Sequence, residues 1–166
     1  MSNQKLTRRE RSNQARTTPI PPAAGNSSAT PEESRHFKLG WWSLFVFVCL
    51  GIVLEGMLAF RVGWYMDVGD NETHRLMLRL GHAHGTLLSV LNIAFAASLA
   101  RLSLPAIART LASRCLTAAT LLVPGGFILA GLVTYGPEPG LGIVLLPVGA
   151  ILLLFGIFQV ARNTGK

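Results

Sequence analysis

The stretch Trp41-Trp42-Ser43-Leu44-Phe45-Val46-Phe47-Val48-Cys49-Leu50-Gly51-Ile52-Val53-Leu54-Glu55-Gly56-Met57-Leu58-Ala59-Phe60-Arg61-Val62 decides the fold. It carries one acid and one base, and at helical rise it reaches about 33 Å, enough to cross the roughly 30 Å hydrocarbon core of a bilayer. It is longer than the apolar region of a cleavable secretory signal, so it reads as an uncleaved anchor. Three more apolar stretches follow, over 76–100, 111–135 and 141–161, separated by turn chemistry at Asp67-Val68-Gly69-Asp70-Asn71, Ser103-Leu104-Pro105 and Gly136-Pro137-Glu138-Pro139-Gly140. The sequence thus predicts an all-α integral membrane four-helix bundle over 39–166, with spans at about 41–62, 76–100, 111–135 and 141–161.

Composition agrees: 50% of the 166 residues are hydrophobic and 14% charged, against about 25% charged in soluble domains. Much of the charge sits in residues 1–38, where Thr18-Pro19-Ile20-Pro21-Pro22 and a run of Ala, Gly, Asn, Ser and Thr leave too little apolar surface to offset ordering entropy. This segment is expected to be a disordered, basic tail. Cys49 and Cys115 lie within apolar runs and read as small buried side chains.

Charge also orients the chain. Lys5, Arg8, Arg9, Arg11, Arg16, Arg35, Lys38, Arg101, Arg109, Arg114, Arg162 and Lys166 fall on one side, and only Arg61, Arg75 and Arg79 on the other. By the positive-inside rule both termini are expected in the cytoplasm, in a multi-pass protein of the cell's inner or plasma membrane. The net charge of +7 serves orientation and contact with anionic lipids at the cytoplasmic face; without interleaved aromatics it does not indicate nucleic acid. Trp41 and Trp42 at one boundary, and Trp64, Tyr65 and Tyr135 at the other, stand where aromatic belts form.

An internal alignment suggests two duplicated helical hairpins. Gly51-Ile-Val-Leu-Glu55-Gly56-Met-Leu matches Gly126-Phe-Ile-Leu-Ala130-Gly131-Leu-Val, and Leu99-Ala100-Arg101 matches Val160-Ala161-Arg162. Chance is the competing explanation, because Gly and Leu dominate every such segment. Under the alignment Glu55 corresponds to Ala130, His82 to Ile143, His84 to Leu145 and Asn92 to Leu153, so the strongly polar groups belong to the first hairpin.

Glu55 is the most informative residue, since a carboxyl group nine residues before Trp64 lies roughly 14 Å inside the boundary and costs on the order of 2.5–3.5 kcal/mol to insert. Gly51, Glu55, Ala59 and Gly63 recur at four-residue spacing, a small-residue stripe that places Glu55 in a packed seam. The second span offers Gly81, Gly85 and Ser89, with His82 and His84 at comparable depth. On a helix residues two apart point about 200° apart, so only one histidine shares the Glu55 seam. His82 is the expected partner and His84 faces elsewhere.

Glu55 and His82 are thus the candidate catalytic residues. His82, His84 and Met57 are the candidates for holding a cofactor, and His82, His84 and Glu55 for a metal. Beside these roles stands a structural one, a hydrogen-bonded pair that fixes helix register, which the sequence favours narrowly. Arg79 is expected to snorkel to headgroups, and Asn92 and Ser89 to hydrogen-bond between helices. No phosphate loop, dinucleotide turn, nucleophile elbow or Cys-x-x-Cys pair is present. No cofactor is predicted; a bis-histidine haem in one chain fares poorly because the other spans lack histidine, and haem or a metal ion remains the alternative.

The run His82-Ala83-His84-Gly85-Thr86-Leu87-Leu88, with Pro124-Gly125-Gly126-Phe127 and the Gly136–Gly140 link, resembles small bacterial four-span membrane proteins, many uncharacterised, and distantly the hydroxylaminobenzene mutase type. The likeness covers about the last 125 residues and consists of layout and glycine placement. It implies a small hydrophobic or redox-active molecule handled near the histidines. Two functions are therefore expected. The first is an accessory or assembly subunit, working as a homo-oligomer or within a larger membrane complex. The second is a membrane redox or isomerising protein using Glu55 and His82 or His84 for proton transfer or cofactor binding. The absence of any large soluble loop favours the first.

Overall fold

The computed structural model describes residues 30–66, 71–102, 104–135 and 137–164. They form four long helices and one short one: α1 (Pro31–Ala59), α2 (Gly63–Met66), α3 (Asn71–Leu99), α4 (Ala106–Leu132) and α5 (Leu145–Ala161), the last entered through a 3₁₀ turn at Leu141–Val144. Each long helix is long and apolar enough to span a membrane, so the chain is an all-α multi-pass membrane protein of four spans.

The first span begins ten residues before Trp41. Thr30 caps it, accepting a hydrogen bond at its side-chain oxygen from the Glu33 N–H at 3.3 Å. Pro31 occupies the first turn, where its missing N–H costs nothing, and Glu32 and Glu33 meet the positive end of the helix dipole. Residues 31–38, assigned from composition to a disordered tail, are therefore helical, and the rest of that tail lies outside the described residues. At its other end α1 stops at Ala59, before Val62, because the chain turns at Phe60 and Arg61, the latter at φ 50°. The second span likewise starts earlier than Leu76, and the third runs over Ala106–Leu132 instead of 111–135.

Successive spans pack antiparallel: α1 on α3, α3 on α4 and α4 on α5. The ends at Pro31 and Ala161 consequently share one side, called here the terminal side. Beyond these neighbours only α1 and α4 meet, slightly, while α5 has no backbone contact with α1 or α3. The bundle is an open row, with α1 and α5 at its edges.

Tight approaches set the pairs. A methyl group on Gly51 would stand 2.8 Å from Nε2 of His82, so only glycine admits the imidazole there. In the second hairpin one on Gly142 would stand 2.5 Å from the Ala130 nitrogen and 2.6 Å from the Gly126 carbonyl oxygen. Glycines 51 and 126 thus each face the following span, beside His82 and beside Gly142.

Two apolar clusters lie at opposite ends, Phe95, Leu99, Ala112 and Leu116 on the terminal side and Leu54, Tyr65 and Leu78 on the far side. Tyr65, expected in an aromatic belt, is buried instead, because the reversal after Ala59 folds α2 back over Leu54. Burial raises its phenol above the usual range.

Candidate functional site

The cleft between α1 and α3 contains the two residues that the sequence singled out. Nδ1 of His82 donates to the Phe47 carbonyl at 2.7 Å. Since a carbonyl only accepts, Nδ1 carries a hydrogen, and Nε2 makes no hydrogen bond among the described residues. Glu55 and His82 together line two adjoining cavities of about 360 and 370 Å³, with Arg79 at the wall of the first. Among the described residues Glu55 accepts no hydrogen bond and joins no ion pair; the one ion pair is Arg109–Glu32 at 3.9 Å.

The expected geometry of Glu55 needs correction. Its side chain is exposed at the rim of the cleft and is not buried in a packed seam with His82. The four-residue stripe misleads because each step of four advances about 40° around the helix. The real seam follows Gly40, Phe47, Gly51, Leu54 and Leu58, alternating longer and shorter steps as two packed helices require. Gly51 and Leu54 are buried, while Glu55 and Ala59 turn outward. With α1 ending at Ala59, Glu55 is also only about 6 Å from the helix end along the axis, shallower than expected.

His84 is on another face, as its spacing from His82 requires. Its Nδ1 donates to Leu80 of its own helix at 2.9 Å, and the ring lies 4.8 Å from Phe127 of α4. Met57 is half-buried against the Leu54 cluster. The structure therefore brings Glu55 and His82 to one cleft and leaves His84 and Met57 outside it. Among the described residues no group of three His, Cys, Asp or Glu side chains is arranged to hold a metal.

A second polar site, deeper than the first, lies towards the terminal side. His36 and Asn92 are fully buried. Nδ1 of His36 donates to Oδ1 of Asn92 at 2.6 Å, and its Nε2 accepts from the Ser113 hydroxyl at 2.8 Å. Arg35 donates to the same hydroxyl oxygen at 2.6 Å, while the Asn92 amide donates to Leu88 at 2.8 Å and to Thr120 at 2.7 Å. Every proton in this chain has an acceptor when His36 is neutral, so three helices are joined by one satisfied network. Ser89, also buried, lies 2.7 Å from the Ser43 hydroxyl. The interhelical roles expected of Asn92 and Ser89 are what the structure displays.

His36 had no place in the sequence reading, which put it in the tail. Thr30-Pro31-Glu32-Glu33 is the signal that recovers it, because this cap extends α1 and carries His36 to the height of Asn92. His74 is a third buried imidazole: its Nδ1 donates to the Gly131 carbonyl and its ring meets Trp64 edge-on at 4.3 Å.

No family model matches this chain, and no curated protein or solved structure does either.

Proposed function

We propose that this protein is an accessory or assembly subunit of a membrane complex, joined to its partner through the α1 edge at Glu55. The observation behind this reading is an exposed carboxyl group on a membrane-spanning helix with no partner among the described residues. In hydrocarbon such a group needs a donor, and the open row leaves that face of α1 available to a second copy or another spanning helix. The buried His36, His74, Asn92, Ser113 and Thr120 already bond to the chain's own helices. Both termini are taken to face the cytoplasm, with the basic side against anionic lipid.

The test is cross-linking in native membranes, from a cysteine at Ile52 in a chain with Cys49→Ser and Cys115→Ala. A defined cross-linked product should form and should disappear when Glu55→Leu is added. An unchanged product with Glu55→Leu would refute the role of the carboxyl.

One observation favours redox or isomerising chemistry as a second reading. Glu55 and Nε2 of His82 border the same cavities and are suited to share a proton with a small bound molecule. A metal or haem in this reading would draw ligands from His82 and Glu55 of more than one copy. The visible spectrum and metal content of the detergent-purified protein decide it: a haem Soret band or stoichiometric metal establishes the second reading, and their absence leaves only proton chemistry to it.

A further inference from the structure

The cleft between α1 and α3 carries two opposite charges that do not meet. Glu55 of α1 and Arg79 of α3 line the same cavity of about 360 Å³, with Gly51 and His82 beside them. Both side chains are exposed, and among the described residues neither joins an ion pair, with the other or with a third residue. Exposed apolar side chains flank them, Val48 and Ile52 on the α1 side and Leu76 on the α3 side. A side-chain carbon added at Gly56 would meet nothing within 4 Å, so the α1 backbone next to Glu55 is open to close approach.

Hydrocarbon solvates neither charge, so each needs an opposite group. Because they line one cavity, the two stand at about the same height in the membrane. A two-fold axis parallel to the spans preserves height. A second copy turned about such an axis at the mouth of the cleft brings its arginine to Glu55 and its glutamate to Arg79, two contacts of opposite sign from one rotation. A different spanning protein would have to offer an acid and a base at the same height and separation.

We propose that the partner at this edge is a second copy of the chain, held in a two-fold dimer by reciprocal ion pairs between Glu55 of each copy and the partner's Arg79. The inference rests on the reading that Glu55 meets a protein partner, and it names that partner and the donor. The surface is therefore wider than the α1 edge, since α3 supplies the cationic half. The apolar rim makes the remaining contact, side chains of one copy entering the cleft of the other.

Two full-length chains with different affinity tags, coexpressed and extracted in mild detergent, test this by recovery of one tag on the resin for the other. Unmodified chains should copurify. Glu55→Arg in both chains should lower recovery roughly tenfold, and so should Arg79→Glu in both, because each sets like charges face to face. Glu55→Arg in one chain with Arg79→Glu in the other should restore it, since both contacts of that mixed dimer are again of opposite sign. An ion pair closed within one chain cannot give this result, because each variant cleft then holds two like charges. Circular dichroism should show unchanged helix content. If a reversal fails to fold, Glu55→Gln with Arg79→Gln in both chains replaces it and should also lose recovery.

The proposal is overturned if unmodified chains do not copurify, which would leave the two charges to zwitterionic lipid headgroups. It is equally overturned if the charge changes leave recovery intact or if the mixed pair fails to restore it. A Glu55-dependent cross-link at Ile52 with a mass other than two copies would overturn the dimer and keep the accessory-subunit reading. A cross-link indifferent to Glu55→Leu would remove both.

Discussion

The imidazole of His82 occupies the space where a side chain on Gly51 would lie, with Nε2 at 2.8 Å from the position of that missing carbon. Ring and glycine are one fitted pair, and the Phe47 carbonyl fixes the ring from the side. The histidine in the candidate cleft is thus also the spacer that sets how closely α1 approaches α3.

Gly51→Ala should therefore destabilise the first hairpin by about 1–3 kcal/mol, the usual cost of forcing an extra carbon into a fitted contact. Adding His82→Ala should return much of that loss. Thermal unfolding of the two single variants and the double variant measures the coupling, and strictly additive losses would show that the ring and Gly51 do not share the space.

Asn92→Leu should be the costliest change in the terminal-side network, at about 2 kcal/mol, because it orphans the His36 Nδ1–H and removes the donor to Thr120. Ser89→Ala should cost about 0.6 kcal/mol, the ordinary value for a hydrogen bond between spanning helices. Denaturant titration in mixed micelles ranks the two, and the reverse order would mean that His36 finds another acceptor when Asn92 is gone.

Glu55 is exposed and His82 is bonded to Phe47, so the two should behave independently in an isolated chain. Glu55→Leu should leave the stability of the purified monomer unchanged or raise it, since it removes an unpaired carboxyl. His82→Leu should lower it, and His84→Leu should add to either change without coupling. A loss of more than about 1 kcal/mol with Glu55→Leu in the monomer would place the carboxyl inside the fold.

Orientation is tested with a membrane-impermeant thiol reagent on intact cells. In a chain with Cys49→Ser and Cys115→Ala, a cysteine at Glu138 should label and one at Thr164 should not. Labelling at Thr164 alone would invert the topology.

The spans were legible because twenty or more apolar residues have few other places to go, and the facing of His82 against His84 followed from helical geometry alone. The start of α1 was hidden by composition: Glu32, Glu33, Arg35 and Lys38 look like tail, and only the Thr30-Pro31 cap shows that they belong to a helix. His36 was lost with that boundary. The facing of Glu55 failed for a different reason. A stripe at four-residue spacing drifts across a helix, whereas a seam between two helices keeps to an average near 3.5, a difference that shows only when the partner's contacts are known.

The open row of helices also bears on synthesis. Because each span packs chiefly on the one made before it, an interface is completed as soon as the next helix leaves the ribosome, and the contacts between spans are nearly all between neighbours in the chain. The bonds from His36 and Arg35 to Ser113 are exceptions, joining residues 77 and 78 apart. The first helix therefore enters the bilayer with this imidazole lacking its serine, which arrives only with the third span. That bond is the latch that ties the first span to the third before the fourth is made.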